Sequence, residues 1–161
     1  MQVAGLWRGG WDMGRRRTRS SWQGARMIQE LRDRPALVRR TLACNDQVCQ
    51  IAQKYHHVSN MLYLGRQYLF PVALEGALKL KEISYIHAEG FAAGEMKHGG
   101  IALIDRDLPS VVIAPLDNVH DKMISSIEQI KARDGRGIAI ATEGHEEISE
   151  NAEDVITIPT P

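Results

Sequence analysis

Between Ala73 and Gly99 the chain reads ALEGALKLKEISYIHAEGFAAGEMKHG, and its ionisable residues fall at intervals suited to proton chemistry. Glu75, Lys79 and Glu82 stand at i, i+4 and i+7, so all three share one narrow stripe of a helix. Leu74, Leu78, Leu80 and Ile83 flank that stripe, and Lys81 is the only other charge nearby. A solvated helix normally carries a broad polar face. The pattern therefore predicts charges walled in by core, the setting that shifts proton affinities and aligns a proton-transfer group. Spacing alone is equally satisfied by two structural salt bridges. The second half of the segment adds Glu89, Glu95, Lys97 and His98 in a glycine-rich stretch able to fold over the helix end. A carboxylate, an ammonium and an imidazole together are the usual tools of proton transfer beside a sugar carbonyl, and His98 could take and return the proton that opens a sugar ring. His56, His57, His87, His120 and His145 show no metal-ligand spacing, and no Ser or Cys nucleophile signature is present, so neither a metal nor a cofactor is expected.

These residues need a scaffold, and the apolar pattern supplies one. Met27–Arg34 and Ala36–Ala43 read as helices separated by Pro35, which should break or restart the helix. Asn45 reads as the N-cap of a helix over Asp46–Tyr55. Strands are expected at Asn60–Leu64, Ser110–Ala114, Gly137–Ala141 and Val155–Ile158, the second of them buried on both faces. Between them lie a loop at Gly65–Phe70, a long helix from Pro71 to about Tyr85, and an irregular stretch over His87–Gly94. A helical turn at Glu95–His98, an amphipathic helix at Asp117–Arg133 and a short helix at Glu146–Asn151 complete the pattern. Strands alternating with helices argue for an α/β fold with a doubly wound parallel sheet, in which ligands bind beyond the carboxyl ends of the strands. The loop Gly65–Phe70 carries no Ser or Thr and no glycine-rich fingerprint, so its side chains make a poor phosphate cradle.

The 161 residues, 43% hydrophobic and 25% charged, suffice for one ordinary core. No apolar run approaches the ~20 residues that cross a bilayer, and no secretory leader is visible, so a cytoplasmic location without membrane contact is expected. Cys44 and Cys49 lie about 140° apart around a predicted helix, a poor geometry for a disulfide, and read as reduced thiols. Net neutrality hides an uneven distribution: residues 1–26 hold six arginines, Arg8, Arg15, Arg16, Arg17, Arg19 and Arg26, against Asp12 alone. All three tryptophans lie there too, and no helical or strand period is evident. Basic residues interleaved with aromatics could form a nucleic-acid arm, but a disordered basic leader is the favoured reading and nucleic acid is not an expected partner. The domains expected are a leader over 1–26, a helical linker over 27–58 and a sheet domain over 59–161.

The run ALEGALKLKEISYIHAEGFAAGEMKHG, followed by IALID at Ile101–Asp105, resembles the second sugar-isomerase (SIS) subdomain of the glutamine–fructose-6-phosphate aminotransferase family, over roughly residues 27 to 161. The resemblance implies a flavodoxin-like SIS fold and an isomerase that makes glucosamine 6-phosphate from fructose 6-phosphate and glutamine. By that resemblance Glu82 is the proton-transferring glutamate, Lys79 and Glu75 support it, and His98 is the ring-opening histidine, acting across a dimer interface. A low-dielectric site would let Glu82 exchange its proton while Lys79 stabilises oxyanion charge on the enediol. The family's first SIS subdomain, its glutaminase domain and its C-terminal lysine tail have no counterpart in these residues, so a C-terminally truncated domain, inactive alone, is expected. Its partners would be a phosphosugar, a second copy and the missing domains. Gln67 stands where the family has glycine, and Gly100 where it has proline, which loosens the backbone beside His98. The rival reading is a non-catalytic SIS module that binds a phosphosugar to regulate a partner, or a vestigial chain that modulates a complete synthase.

Overall fold

The computed structural model describes residues 2–17, 20–144 and 146–160, so Arg19 and His145 lie outside the described residues. The chain divides after Arg40 into two compact units. The first holds helix α1 (Gln2–Arg17) and most of α2 (Ser21–Leu42); α2 is helical beyond Met27 as expected, whereas α1 and the first turns of α2 fall where the sequence pattern suggested a leader without helical period. Local signals account for the difference. Ser20 and Gln23 form a reciprocal capping box, the Ser20 N–H donating to Gln23 Oε1 at 3.0 Å and the Gln23 N–H to Ser20 Oγ at 3.3 Å. Ion pairs one turn apart, Asp12–Arg16 at 3.1 Å and Arg26–Glu30 at 2.8 Å, add to this. Pro35 does not break α2 as expected, because the helix is exposed there and the carbonyl it leaves unbonded can turn to water.

In the second unit α3 (Asn45–Tyr55) leads into strand β1 (Asn60–Gly65), helix α4 (Phe70–Ser84) and strand β2 (His87–Ala92). Strand β3 (Ser110–Ala114), helix α5 (His120–Lys131), strand β4 (Gly137–Thr142), helix α6 (Glu146–Asn151) and strand β5 (Asp154–Ile158) follow. The five strands run parallel in the order β2-β1-β3-β4-β5. This is the doubly wound α/β fold the pattern predicts. One face buries Leu62, Leu64, Val112 and Ala139 under Met123, Ile127 and Ile130 of α5 and Ile148 of α6. The other packs Met61, Val111 and Ile138 against Tyr55 of α3 and Ala77 of α4. Strand β3 is buried throughout, as its unbroken apolar run requires.

Two boundaries differ from expectation. Asn45 is the first residue of α3, and Cys44 precedes it, its thiol donating to the Thr41 carbonyl at 2.8 Å. His87–Gly94, read as irregular, contains strand β2, paired with β1 from Asn60↔His87 to Gly65↔Ala92. Its sequence HAEGFA has no β-branched residue, so only the tertiary pairing makes it a strand.

Helix α3 is clamped onto the edge strand β5. The Tyr55 hydroxyl donates to Asp154 at 2.7 Å, Lys54 Nζ lies 2.8 Å from Asp154 and 2.9 Å from Glu153, and the Gln47 amide donates to the Val155 carbonyl at 2.7 Å. Burial, then the bond to Asp154, pushes the Tyr55 hydroxyl well above its ordinary 10.0. Burial lowers the Lys54 ammonium, but its bonds to Asp154 and Glu153 outweigh this and raise it above 10.5. Both groups hold their protons more tightly folded than unfolded. Their contribution is therefore complete below the unfolded values and lost as pH rises through the folded ones. Asp154→Ala is expected to cost about 2 kcal/mol in urea denaturation at neutral pH and to flatten the stability loss above pH 10.0. An unchanged alkaline limb would remove Asp154 from this account.

The hydroxyl of Ser110, at the start of β3, is fully buried without a hydrogen-bond partner. Ser110→Ala removes an unsatisfied polar group from a space alanine fills, and is expected to raise stability by about 1 kcal/mol. A loss of similar size would mean that the hydroxyl is bonded in solution.

Candidate active site

Helix α4 carries Glu75, Lys79 and Glu82 and runs back from the carboxyl end of β1, with Pro71 in its first turn, where the missing N–H is harmless. Lys79 Nζ lies 2.6 Å from Glu82 Oε2 and 3.8 Å from Glu75 Oε1, so the lysine bridges both carboxylates along one stripe. The bond to Glu82, joined by that carboxylate's charge, raises the proton affinity of Lys79 and keeps it an ammonium. The helix ends at Tyr85, in the left-handed region at φ 62° with its N–H on the Lys81 carbonyl.

The stripe is open to solvent within this chain, its three side chains 64%, 52% and 52% exposed, which corrects the expectation that core walls it in. The buried stripe of α4 is instead Ala73 and Ala77 with half-buried Gly76 and Leu80. Residue 75 is turned about 200° from residue 73, so burying the small residues necessarily turns the charges outward. Small side chains win because they let the helix sit close to the sheet: a Cβ on Gly90 would lie 2.7 Å from Leu74 Cα, and one on Gly76 2.8 Å from the Tyr63 ring. The large apolar residues Val72, Leu74, Leu78 and Ile83 are left exposed beside the charges.

His98 closes a 3-10 turn over Met96–His98 that follows the carboxyl end of β2. Met96 is buried in the core and anchors the turn, while Glu95, Lys97 and His98 stand exposed. The Ala93 N–H donates to the Gly65 carbonyl at 2.9 Å, and the His98 N–H to the Glu95 carbonyl at 2.9 Å. Gly99 takes φ 151°, and a Cβ on Gly100 would meet the Phe91 ring at 3.1 Å. Arg66, which the sequence reading passed over, lies across this turn, its guanidinium 3.5 Å from where a Gly94 Cβ would stand. The structure thus brings Glu75, Lys79 and Glu82 together but does not bring His98 to Glu82. Glu82 lies twelve residues along α4, about 18 Å toward the amino ends of the strands, whereas the His98 turn stays near their carboxyl ends. Glu89, on β2, lines a hollow of 380 Å³ at the amino ends of β1 and β2 with Asn60, His87, Asp105 and Asp107. Among the described residues no cluster of three or more His, Cys, Asp or Glu could hold a metal, and no helix is long and apolar enough to cross a membrane.

A parallel sheet in the order β2-β1-β3-β4-β5, covered by helices on both faces, defines a flavodoxin-like doubly wound α/β domain. Residues 54–161 match the SIS domain family, and the chain belongs to it. It is 58% identical over 132 residues to a glutamine–fructose-6-phosphate aminotransferase [isomerizing] of Chlorobaculum tepidum, and 52% identical over 141 residues to that of Aquifex aeolicus. These alignments cover 82% and 88% of this chain but 22% and 24% of the relatives, so the chain spans about a quarter of their length. The C-terminal domain of glucosamine-fructose-6-phosphate aminotransferase from Francisella tularensis superposes with a TM-score of 0.80 at 36% identity, covering 88% of this chain and 40% of that one. Tagatose-6-phosphate ketose/aldose isomerase from Escherichia coli shares the fold, with a TM-score of 0.64 at 20% identity.

Proposed function

We propose that this chain is the second sugar-isomerase unit of a glutamine–fructose-6-phosphate aminotransferase, acting on a phosphosugar in the cytoplasm. In this reading the Glu82 carboxylate carries hydrogen between the first two carbons of the sugar, and the Lys79 ammonium neutralises oxyanion charge as the enediol forms. Glu75 holds Lys79 in place, and His98 serves the ring-opening proton transfer at the site of a second copy. The topology supports that last assignment, since His98 and Glu82 of one chain lie toward opposite ends of the sheet. The observation that carries the reading is the 2.6 Å Lys79–Glu82 pair, set among large apolar side chains that none of the described residues covers. A catalytic pair in such a setting becomes desolvated only when another subdomain closes over it.

The test is a chimera in which the matching segment of the Aquifex aeolicus relative is replaced by the corresponding residues of this chain. Glucosamine 6-phosphate formation within about tenfold of the parent, a loss of less than ~1.4 kcal/mol in transition-state stabilisation, is the expected result. A folded chimera that binds the sugar phosphate and does not turn it over would reject the catalytic reading in favour of a binding module.

A further inference from the structure

At the amino ends of the strands a hollow of 290 Å³ is ringed by His57, Ser59, Asn60, Arg106, Asp107 and Arg136. The fold brings the two arginines to the same hollow. A Cβ on Gly135 would stand 2.4 Å from Ile104 Cγ2, so the segment leading to Arg106 packs directly on the turn leading to Arg136. The backbone of Arg136 is held in turn by its carbonyl, which accepts the Ser110 N–H at 2.8 Å. The same two arginines also line a second hollow, with Lys131 and the acidic residues Asp134, Glu150 and Glu153.

No ion pair within the described residues neutralises Arg106 or Arg136, and the side chains of His57, Ser59 and Asn60 make no hydrogen bond there. Five donor-bearing side chains therefore converge on one small hollow, opposed by a single carboxylate, Asp107. Guanidinium forks match the oxygens of phosphate and carboxylate. A phosphate monoester offers three acceptor oxygens and close to two negative charges, against two oxygens and one charge for a carboxylate, so it uses more of these donors. The volume suits a small phosphorylated compound and not a large cofactor.

We infer that the hollow between Arg106 and Arg136 is a binding site for the phosphate group of a small molecule, separate from the stripe on α4. It shares no residue with Glu75, Lys79, Glu82 or His98, so its success or failure is independent of the proposed isomerase role.

The test titrates the ¹⁵N-labelled full chain at fixed ionic strength with inorganic phosphate and, separately, with glucose 6-phosphate, following side-chain signals of Asn60, Arg106 and Arg136. Saturable shifts at these groups are expected. Each of Arg106→Gln and Arg136→Gln should weaken binding by roughly tenfold, and the double variant should abolish it. Arg106 is exposed and Arg136 half-buried, and neither is in an ion pair among the described residues, so the variants should fold. Tighter binding of glucose 6-phosphate than of phosphate would assign the site to a phosphorylated metabolite, and equal binding to the free anion; either supports the site. Shifts that fail to saturate, or that persist in the double variant, would overturn it.

Discussion

In the chimera described above, Glu82→Gln is expected to lower turnover by roughly 10³-fold or more while leaving the Michaelis constant for fructose 6-phosphate within a few-fold of the parent. Glutamine keeps the size of the side chain and one acceptor oxygen, so the contact to Lys79, now 2.6 Å, can persist as a hydrogen bond from the ammonium to the amide oxygen. What is lost is a group able to take a proton from carbon and return it. Lys79 also retains Glu75 at 3.8 Å, so its ammonium is not stranded. The split between rate and binding distinguishes this role from a structural one, because a Glu82 that merely braced the helix would change both constants or stability. Turnover close to that of the parent would remove Glu82 from the mechanism.

Much of this arrangement was legible in the residues themselves. Periodicity placed α4 within a residue of its ends, and the i, i+4, i+7 spacing put Glu75, Lys79 and Glu82 on one stripe. The unbroken run Ser110–Ala114 announced a strand buried on both faces. What spacing could not give was which stripe of α4 faces the sheet. Counting large apolar residues points to Leu74, Leu78 and Ile83, yet helix and sheet meet through Ala73, Gly76 and Ala77. The signal was present as a run of small residues, whose value lies in close approach and not in transferred area.

Strand β2 was hidden for a related reason. HAEGFA has neither β-branched residues nor clean alternation, and its strand character comes from register with β1. In the first unit the helix beyond Met27 was legible in two pieces, whereas α1 and the start of α2 were hidden because their support is local, a capping box at Ser20 and Gln23 and ion pairs one turn apart, and leaves little trace in an apolar period. The separation of His98 from Glu82 follows only from topology, since residues sixteen apart in sequence become distant once a strand runs between them.

Gly90→Ala is expected to destabilise the sheet unit by about 3 kcal/mol and to lower its melting temperature by roughly 10 °C. Gly90 sits opposite Tyr63 in the β1–β2 register, directly beneath α4. An added Cβ would stand 2.7 Å from Leu74 Cα and 2.9 Å from Leu74 N, so the obstacle is helix backbone and no rotamer relieves it. Either α4 lifts from the sheet or β2, an edge strand hydrogen-bonded only to β1, gives way. Both responses open the packing around Ala73 and Ala77, which are now 0% and 2% exposed. Gly137→Ala supplies the control, because a Cβ there would meet nothing closer than 3.8 Å, and its stability should stay within about 0.5 kcal/mol of the parent. If thermal melts place the two variants together, close approach at Gly90 is not what sets the height of α4, and with it the position of Glu75, Lys79 and Glu82 above the sheet.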